Sequence, residues 1–296
     1  MQQSDDAAYV AKQAGELPED FVAYPNCRSS KSWFMFDDEI VVLASGISDE
    51  HDRAVVSTLD ARVCDPGDTV RVTGQNRYGR SLTRTGTVHD PAWVHYENST
   101  RGTSIGYVFY TEGDIDVRLE QVERAPSYVR TANSDTPITK RVFDVSHTHP
   151  ADDGGGSLAY AIVPGATSRA LAGYRRSGPE ILEHDSEVHA VRHPGLGLLG
   201  ANTFTDGEHR IGNITVHGPA SVLVQDAARG RTVLAVSDPT FGRETVSITV
   251  RGRRPVLETD DGVTVRRVRG GTRLEFPTHE AYGKTFTATI RGHGIV

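Results

Sequence analysis

The sequence predicts an all-β protein made of two successive antiparallel β domains, a large β-sandwich followed by a smaller one. Three observations predict this fold class. Short runs of β-branched and aromatic residues are separated by Gly, Pro, Asp and Asn along most of the chain, which is typical of strands and turns. Residues 115–119 alternate apolar and polar side chains, as a half-buried antiparallel strand does. No long amphipathic helical pattern occurs.

The first 29 residues are the least strand-like part of the chain. A short helix is predicted around Ala7–Gln13, and loop signals follow at Pro18 and Pro25. We interpret residues 1–29 as a connector from something upstream. The chain opens with polar and acidic residues rather than a basic and apolar stretch, so we expect no export signal in it.

Strand signals then fall into two series. The first, assigned to a domain at 30–177, includes residues 39–44, 69–73, 106–110 and 115–119. Polar, turn-forming residues at 174–179 suggest the boundary. The second series, assigned to a domain at 178–296, is closely spaced and typical of a β-sandwich, with strands predicted at 221–224, 232–236, 245–250, 263–265, 272–276 and 285–290.

Composition excludes several classes of function. The formal net charge is −7, so the protein as a whole repels polyanions, and we expect no nucleic-acid partner. No apolar run is long enough to span a membrane. The basic clusters Arg251–Arg254 and Arg266–Arg273 have the pattern of solvated strand faces. Cys27 and Cys64 lack the spacing of a zinc or redox motif, which leaves a disulfide and two buried thiols both open.

Two groups of residues could bind a metal. His147 and His149 share one strand face and could offer two imidazoles, although a strand end with exposed side chains is the alternative. The triplet Asp37, Asp38 and Glu39 supplies the oxygen ligands that calcium prefers, but three carboxylates do not complete its ~6 ligands. Spacing alone therefore favours a solvated turn. Nucleotide-binding and hydrolase motifs are absent from the sequence.

Several ordered segments resemble polysaccharide lyase family 8, which includes hyaluronate, chondroitin AC and xanthan lyases. The longest is Lys31–Ser48, which is similar to the central β domain of that family. The other segments keep the family's order, and they are Gly106–Phe109, Phe143–His147, Tyr160–Gly165, Val188–Val191, Gly218–Val224 and Leu234–Pro239. The resemblance covers nearly all of the chain beyond residue 30.

The resemblance implies a mutarotase-like supersandwich followed by a C-terminal β-sandwich. It also implies an extracellular enzyme that cuts uronic-acid polysaccharides by β-elimination. A base removes the C5 proton, the neighbouring carboxylate is neutralised and the C4–O bond breaks. The family's catalytic residues lie on a helical toroid that precedes the β domains. No helical repeat precedes Lys31, so we assign no catalytic residue and expect the toroid to be absent from this chain.

The resemblance also raises the prospect of calcium, because some family members hold it through the acidic triplet and a later Glu. The implied ligands here are Asp37, Asp38 and Glu39, with Glu183 or, preferred, Glu187 as the fourth. Such an ion would be structural, and no cofactor is required for the chemistry.

Three functional hypotheses follow. The first is the C-terminal β portion of a lyase, inactive alone, which helps to form the cleft for hyaluronan, chondroitin or xanthan. The second is a stand-alone carbohydrate-binding or adhesive β module, with Trp93 as a sugar platform and Trp33 in the core. In the third, a separate chain supplies the catalytic helical domain.

Overall fold

The computed structural model describes residues 2–3, 7–21, 23, 27–49, 53–151, 155–292 and 294. They form two compact units, unit 1 (Met1–Tyr174) and unit 2 (Arg175–Val296), whereas the sequence suggested a division after residue 177. The all-β prediction is confirmed. The described helices are α1 (Ala7–Gln13), α2 (Ser168–Gly173) and 3-10 turns at Pro126–Tyr128, Tyr174–Arg176 and Pro194–Leu196. None of them is long and apolar enough to cross a membrane.

In the residues that the structure describes, unit 1 contains a seven-stranded and a four-stranded antiparallel sheet. Its strands are β1 (Gln2–Gln3), β2 (Arg28–Met35), β3 (Ile40–Ser48), β4 (Val55–Cys64), β5 (Val70–Asn76), β6 (Gly86–His89), β7 (Pro91–Asn98), β8 (Thr103–Phe109), β9 (Asp114–Arg124), β10 (Ile138–His149) and β11 (Gly156–Pro164). Sheet A has the order β1-β2-β3-β11-β8-β7-β5, and sheet B the order β4-β10-β9-β6. The expected connector therefore contributes strand β1, which pairs with β2. Its residues 1, 4–6, 22 and 24–26, including the loop signal at Pro25, lie outside the described residues.

The core of unit 1 lies between its two sheets. Alternate residues of each strand point inward, among them Val42 on β3, Val94 on β7 and Val145 on β10. Tyr107 and Phe143 are fully buried there. Burial of each such side chain stabilises the fold by roughly 1.5–3 kcal/mol. Helix α2 packs on β8, and Gly106 makes room for it, since a Cβ there would clash with the Leu171 side chain.

Trp33 is not in the core, so its sequence-based assignment is wrong. Its side chain is 42% exposed, and the Lys31 ammonium lies 5.3 Å from the centre of its ring. An apolar run such as residues 33–36 does not reveal whether the opposing sheet extends far enough to cover each side chain.

The described residues of unit 2 form one connected network of ten antiparallel strands. They are β12 (Glu180–His184), β13 (Val188–His193), β14 (Leu198–Ile211), β15 (Ile214–Ala227), β16 (Arg231–Ser237), β17 (Thr245–Arg251), β18 (Val256–Thr259), β19 (Thr264–Val268), β20 (Gly271–Pro277) and β21 (Phe286–Arg291). The long strand β15 pairs with β17 through residues 214–217 and with β16 through residues 221–227. The strands that pair with either end of β15 contribute to one aliphatic core. Ile248 of β17, Leu234 of β16 and Ile290 of β21 are fully buried in it.

Candidate functional site

The acidic triplet lies in the turn between β2 and β3. Asp37 and Asp38 are exposed to solvent, whereas Glu39 is 7% exposed. Glu39 lies near the phenol of Tyr174, whose pKa is raised strongly by burial and further by Tyr110 and Glu39. The turn therefore separates the three carboxylates into two solvated side chains and one that faces the interior.

Of the two Glu residues considered as a fourth ligand, Glu183 is half-buried on β12 and Glu187 is exposed in the turn after it. The Glu187 backbone N–H donates to Asp185 Oδ1 at 2.8 Å. Within the described ranges, no three His, Cys, Asp or Glu side chains converge to hold a metal ion. These residues do not form a calcium cradle by themselves, and the calcium site stays a prediction.

The two histidines of β10 lie together, with ring centroids 4.5 Å apart. Each is bonded to a neighbouring strand: His149 Nε2 lies 2.9 Å from Ser57 Oγ, and His147 Nδ1 lies 2.7 Å from the carbonyl oxygen of Asp114. His149 is 1% exposed, so the alternative of exposed side chains at a strand end is wrong for this residue. These contacts indicate that the pair links β10 to β4 and β9.

The two cysteines are not joined by a disulfide. Cys64 is buried at the end of β4, where its thiol donates weakly to the carbonyl oxygen of Arg141 at 3.6 Å, and Cys27 is half-buried. Of the two alternatives that the sequence left open, the structure has two thiols, of which only Cys64 is fully buried.

A basic groove of about 450 Å³ lies beside the loop between β5 and β6. These two strands are edge strands of sheet A and sheet B, respectively. Its lining is polar and comprises Asn76, Arg80, Ser81, Leu82, Thr83, Arg84, Thr85, Gly86, Thr87, Val88 and His89. None of these described lining residues is acidic. Arg80 and Arg84 are exposed and form no ion pair with the carboxylates that the structure describes. The groove can therefore offer two guanidinium groups and several hydroxyls to an anionic ligand.

The loop that carries the groove is firmly anchored at its start. The Arg77 guanidinium donates to the carbonyl oxygens of Tyr110 and Thr111 at 2.6 and 2.7 Å, and it pairs with Glu112 at 2.9 Å. Asn76 Oδ1 accepts from the backbone N–H groups of residues 78 and 80. The arginines beyond this anchor therefore extend from an ordered turn, which lowers the entropic cost of binding.

A bonded group of side chains flanks the groove. Asp90 adopts a left-handed backbone conformation with φ 45°. Its carboxylate accepts from the backbone N–H of Gly113 at 2.7 Å and from the Tyr78 phenol at 3.0 Å. The Gly113 N–H lowers the pKa of Asp90, and the hydrogen bond to Asp90 raises the pKa of Tyr78. The phenol is thus held as a donor, and its ring is 70% exposed beside the groove.

His89 belongs to both the groove and this group. Its Nδ1 lies 2.7 Å from Asp114 Oδ1, and its Nε2 lies 3.2 Å from Asp90 Oδ2. The hydrogen bond with Asp114 raises the pKa of His89, and the charge of Asp90 acts in the same direction. When protonated, His89 is therefore already paired with two carboxylates. Arg80 and Arg84 remain as the cations available to a ligand.

Sequence inspection missed this groove. The sequence feature that indicates it is the spacing of Arg77, Arg80 and Arg84 among turn-forming and hydroxyl residues. Only the basic clusters of unit 2 were considered as candidates. The proposed sugar platform Trp93 is half-buried, and its indole Nε1 is shielded from solvent. The exposed aromatic ring beside the groove is Tyr78 instead.

Two family sequence models match the chain. Residues 7–175 match the super-sandwich domain of polysaccharide lyase family 8, and residues 180–247 match the C-terminal beta-sandwich domain of the same family. A xanthan lyase of Bacillus sp. (strain GL1) is 30% identical over 274 residues, which is 90% of this chain and 29% of that protein. A hyaluronate lyase of Thermasporomyces composti is 31% identical over 274 residues, covering 89% of this chain and 33% of that protein.

Solved structures agree with these matches. Paenibacillus xanthan lyase has a TM-score of 0.80 and 26% identity over 91% of this chain and 26% of that one. Streptomyces coelicolor A3 chondroitin AC lyase in complex with chondroitin sulphate has a TM-score of 0.73 and 26% identity over 91% of this chain and 33% of that one. The chain thus spans about a third or less of the length of these relatives.

Proposed function

The chain belongs to polysaccharide lyase family 8, and on this premise we propose that it is the β-sandwich portion of an enzyme that cleaves uronic-acid polysaccharides by β-elimination. In this proposal the basic groove of unit 1 contacts the acidic polysaccharide, and the chain alone binds it without cutting it. The observation that carries the proposal is the pair of exposed, unmatched arginines, Arg80 and Arg84, in a protein of net charge −7.

The chemistry of the ligand fits the groove. The matched relatives are named for xanthan, hyaluronate and chondroitin, and one is solved with chondroitin sulphate. Carboxylate and sulfate groups accept charge-assisted hydrogen bonds from guanidinium groups, and sugar hydroxyls can bond the Thr side chains of the lining. Tyr78 adds an aromatic face of the kind that stacks on sugar rings. A long acidic glycan could therefore lie along this side of unit 1.

The lack of cleavage by the chain alone is inferred from the family, because the catalytic residues of polysaccharide lyase family 8 lie on a helical portion that precedes the β domains. Elimination needs a base whose pKa lies near the working pH. The phenols of Tyr78, Tyr107 and Tyr174 have raised pKa values, which disfavours these three in that role. We therefore place the base on a helical portion, which another polypeptide could supply, and we expect the complete enzyme to work outside the cell.

Binding measurements test the groove. We expect the Arg80→Ala, Arg84→Ala double variant to bind hyaluronan, chondroitin sulfate and xanthan fragments at least about tenfold more weakly in calorimetry, because each charge-assisted bond contributes roughly 1.5–3 kcal/mol. The matched control is Arg253→Ala, Arg267→Ala, two exposed arginines of unit 2 that line a different depression. Equal affinities for the wild type and the groove variant would refute this assignment.

Cleavage is measured separately, through the ultraviolet absorbance of the unsaturated product. We expect no product from the chain alone with any of the three polysaccharides. Robust turnover would show that the chain carries its own base, and the supporting role would be wrong.

The exposed ring of Tyr78 also favours a second candidate, a stand-alone carbohydrate-binding module. The two candidates differ in what a partner does. A binding module functions fully alone, whereas the lyase portion gains activity when the helical portion is added. Restored product formation on such an addition would exclude the module.

A further inference from the structure

Two exposed aromatic side chains lie on neighbouring loops of unit 2. Phe241, between β16 and β17, is 62% exposed, and Tyr282, between β20 and β21, is 78% exposed. The Phe241 ring packs against the backbone of Gly283, where a Cβ would clash with it, so the two loops are in contact. Neither ring belongs to the aliphatic core described for unit 2. Packing of the core therefore does not account for the two aromatic side chains.

The backbone holds both aromatic residues in the left-handed region. Phe241 has φ 59° and Tyr282 has φ 49°. Glycine and asparagine adopt this region readily, whereas it is sterically unfavourable for a bulky side chain. Glu280 has φ 50°, so three of the five described non-glycine residues with left-handed φ lie in these two loops. Strained backbone of this kind is typical of segments that bind ligands.

Hydrogen bonds hold the two loops in this conformation. Asp238 is buried directly after β16, and its carboxylate accepts from the backbone N–H groups of Thr240 and Arg243, both at 2.8 Å. Thr278 is buried after β20 and connects the loops. Its hydroxyl donates to the carbonyl oxygen of Arg243 at 2.9 Å, and its backbone N–H donates to that of Glu244 at 3.0 Å. The aromatic rings thus extend from a preformed support, which lowers the entropic cost of binding.

The charges around the rings do not favour an acidic ligand. The solvent-accessible charged side chains and histidine of the two loops, with the β14 residue that pairs with them, are Asp206, Arg243, Glu244, His279, Glu280 and Lys284. Arg243 is paired with Asp206, and His279 Nδ1 lies 2.9 Å from Glu244 Oε1. Three carboxylates and two permanent cations offer an acidic sugar no net attraction. The carboxylates can instead accept hydrogen bonds from the hydroxyl groups of a neutral sugar.

We propose that Phe241 and Tyr282 form an aromatic platform that binds neutral, β-linked sugar units. The C–H face of such a sugar ring packs on the aromatic side chains, and its hydroxyl groups donate to Glu244 and Glu280 at the rim. The choice of a sugar as the ligand rests on the proposed function, because an enzyme that cleaves polysaccharides meets sugar chains. The platform is a second binding site, and it differs from the basic groove of unit 1 in the charge of the units it accepts.

Calorimetry with two neutral oligosaccharides, cellohexaose and N-acetylated chitohexaose, tests the platform. The parent protein is the full chain with Arg80→Ala and Arg84→Ala, so that the groove of unit 1 does not contribute. We expect at least one of the oligosaccharides to bind, and Phe241→Asn or Tyr282→Asn to weaken it about tenfold, through loss of a stacking surface. The matched control is Tyr128→Asn, at a tyrosine that is 82% exposed in a 3-10 turn, which should bind like the parent.

Thermal unfolding of the same variants separates a binding role from a structural one. Asparagine tolerates the left-handed region, so we expect Tyr282→Asn to unfold at the temperature of the parent or about 2–4 °C above it. Binding would then be lost without loss of stability. A fall of several degrees in Tyr282→Asn would show that the ring supports the fold, and the platform would be wrong.

Three further outcomes would overturn the proposal. In the first, neither neutral oligosaccharide binds. In the second, both asparagine variants bind as well as the parent. In the third, the chain forms a dimer in sedimentation that Tyr282→Asn dissociates, which would make a second copy of the chain the occupant.

Failure of the platform is distinguishable from failure of the proposed function. Neutral oligosaccharide binding that depends on Tyr282, without acidic polysaccharide binding that depends on Arg80 and Arg84, would preserve the platform and remove the groove function. Acidic polysaccharide binding at the groove, with no binding of either neutral oligosaccharide, would do the reverse.

Discussion

The cores of the two units differ in chemistry. The core of unit 2 is aliphatic apart from Phe276 and Phe286. The core of unit 1 includes Tyr96, Tyr107 and Tyr160. Tyr107 donates to Asp60, which also accepts from Arg62 Nε at 2.7 Å. Burial raises the pKa of Tyr160 to about 12 and that of Tyr107 still higher.

The position of the polar groups explains the difference. Asp60 and Arg62 lie on β4, the edge strand of sheet B, and their side chains are 19% and 38% exposed. Charged groups are tolerated there because they form hydrogen bonds with water and with each other. Unit 2 also buries polar side chains, among them His189, Thr232 and Asp238, but its described hydrophobic cluster contains no tyrosine. In unit 1 the polar partners of the buried Tyr107 phenol thus lie on an edge strand, whereas the hydrophobic cluster of unit 2 consists of hydrocarbon side chains.

The largest effect should come from truncating the aliphatic core. Leu234 is fully buried in unit 2, so we expect Leu234→Ala to lower the free energy of unfolding by about 3–4 kcal/mol, through lost burial and a residual cavity. Denaturant-induced unfolding, observed through the hydrogen exchange of peptides from unit 2, measures this loss of stability. Leu223→Ala, at a side chain that is 45% exposed, is the control and should cost under about 1 kcal/mol. Similar losses for both variants would contradict the burial of Leu234 in this core.

Acid should weaken unit 2 through His189, which is completely buried. Burial lowers its pKa to about 3, and His184 acts in the same direction, with ring centroids 5.3 Å apart. In the unfolded chain the pKa is about 6.5, so the unfolded state binds the extra proton as the pH falls from 6.5 towards 3. Stability is therefore present above pH 6.5 and lost below it, by about 2 kcal/mol at pH 5.

Urea unfolding at pH 7 and pH 5 measures this loss. The His189→Gln variant should show a smaller difference between the two pH values, because it cannot take up the proton. The same difference in both proteins would assign the acid sensitivity to other groups.

A smaller effect is expected from the polar network of unit 1. Tyr107→Phe removes one donor to Asp60 and leaves the one from Arg62, so we expect a loss of about 1–2 kcal/mol. Tyr128→Phe, at a side chain that is 82% exposed, is the control and should change stability by less than about 0.5 kcal/mol. Hydrogen-exchange rates of the β4 backbone amides report this loss of stability locally. An unchanged stability in Tyr107→Phe would show that this network does not support the edge.

The smallest effect on stability should come from the groove. Arg80 and Arg84 are exposed and unmatched, so the double alanine variant should unfold within about 0.5 kcal/mol of the wild type. Thermal unfolding measures this, and it separates lost polysaccharide binding from lost folding. A large destabilisation would mean that the arginines hold the loop in place.

Much of the fold could be predicted because strand signals are local. The predicted strands at 39–44, 69–73 and 245–250 coincide closely with β3, β5 and β17. The predicted helix at residues 7–13 is also present. Burial was harder to predict, since Trp33 and His149 both depend on what lies opposite them in another strand or sheet. Periodicity identifies a face, but it does not identify the partner of that face.

The site depended on contacts distant in sequence. Arg77 is anchored by carbonyl oxygens more than thirty residues away, and Asp90 by Gly113. No spacing rule connects these positions, so the ordered basic loop could not be recognised from the sequence. The acidic triplet was easier to notice, because its residues are adjacent, yet the turn separates Glu39 from Asp37 and Asp38. Adjacency in sequence and convergence in space are different properties.

The left-handed backbone of Asp90 has a consequence for natural variation. Its φ of 45° is tolerated best by Gly, Asn and Asp, and β-branched residues are strongly disfavoured there. Of these three residues, only Asp supplies two acceptor oxygens for Gly113 and Tyr78 at once. Homologous sequences that retain a tyrosine at position 78 should therefore retain Asp at position 90, whereas those that lose the tyrosine should drift to Asn or Gly. The two positions should change together during evolution.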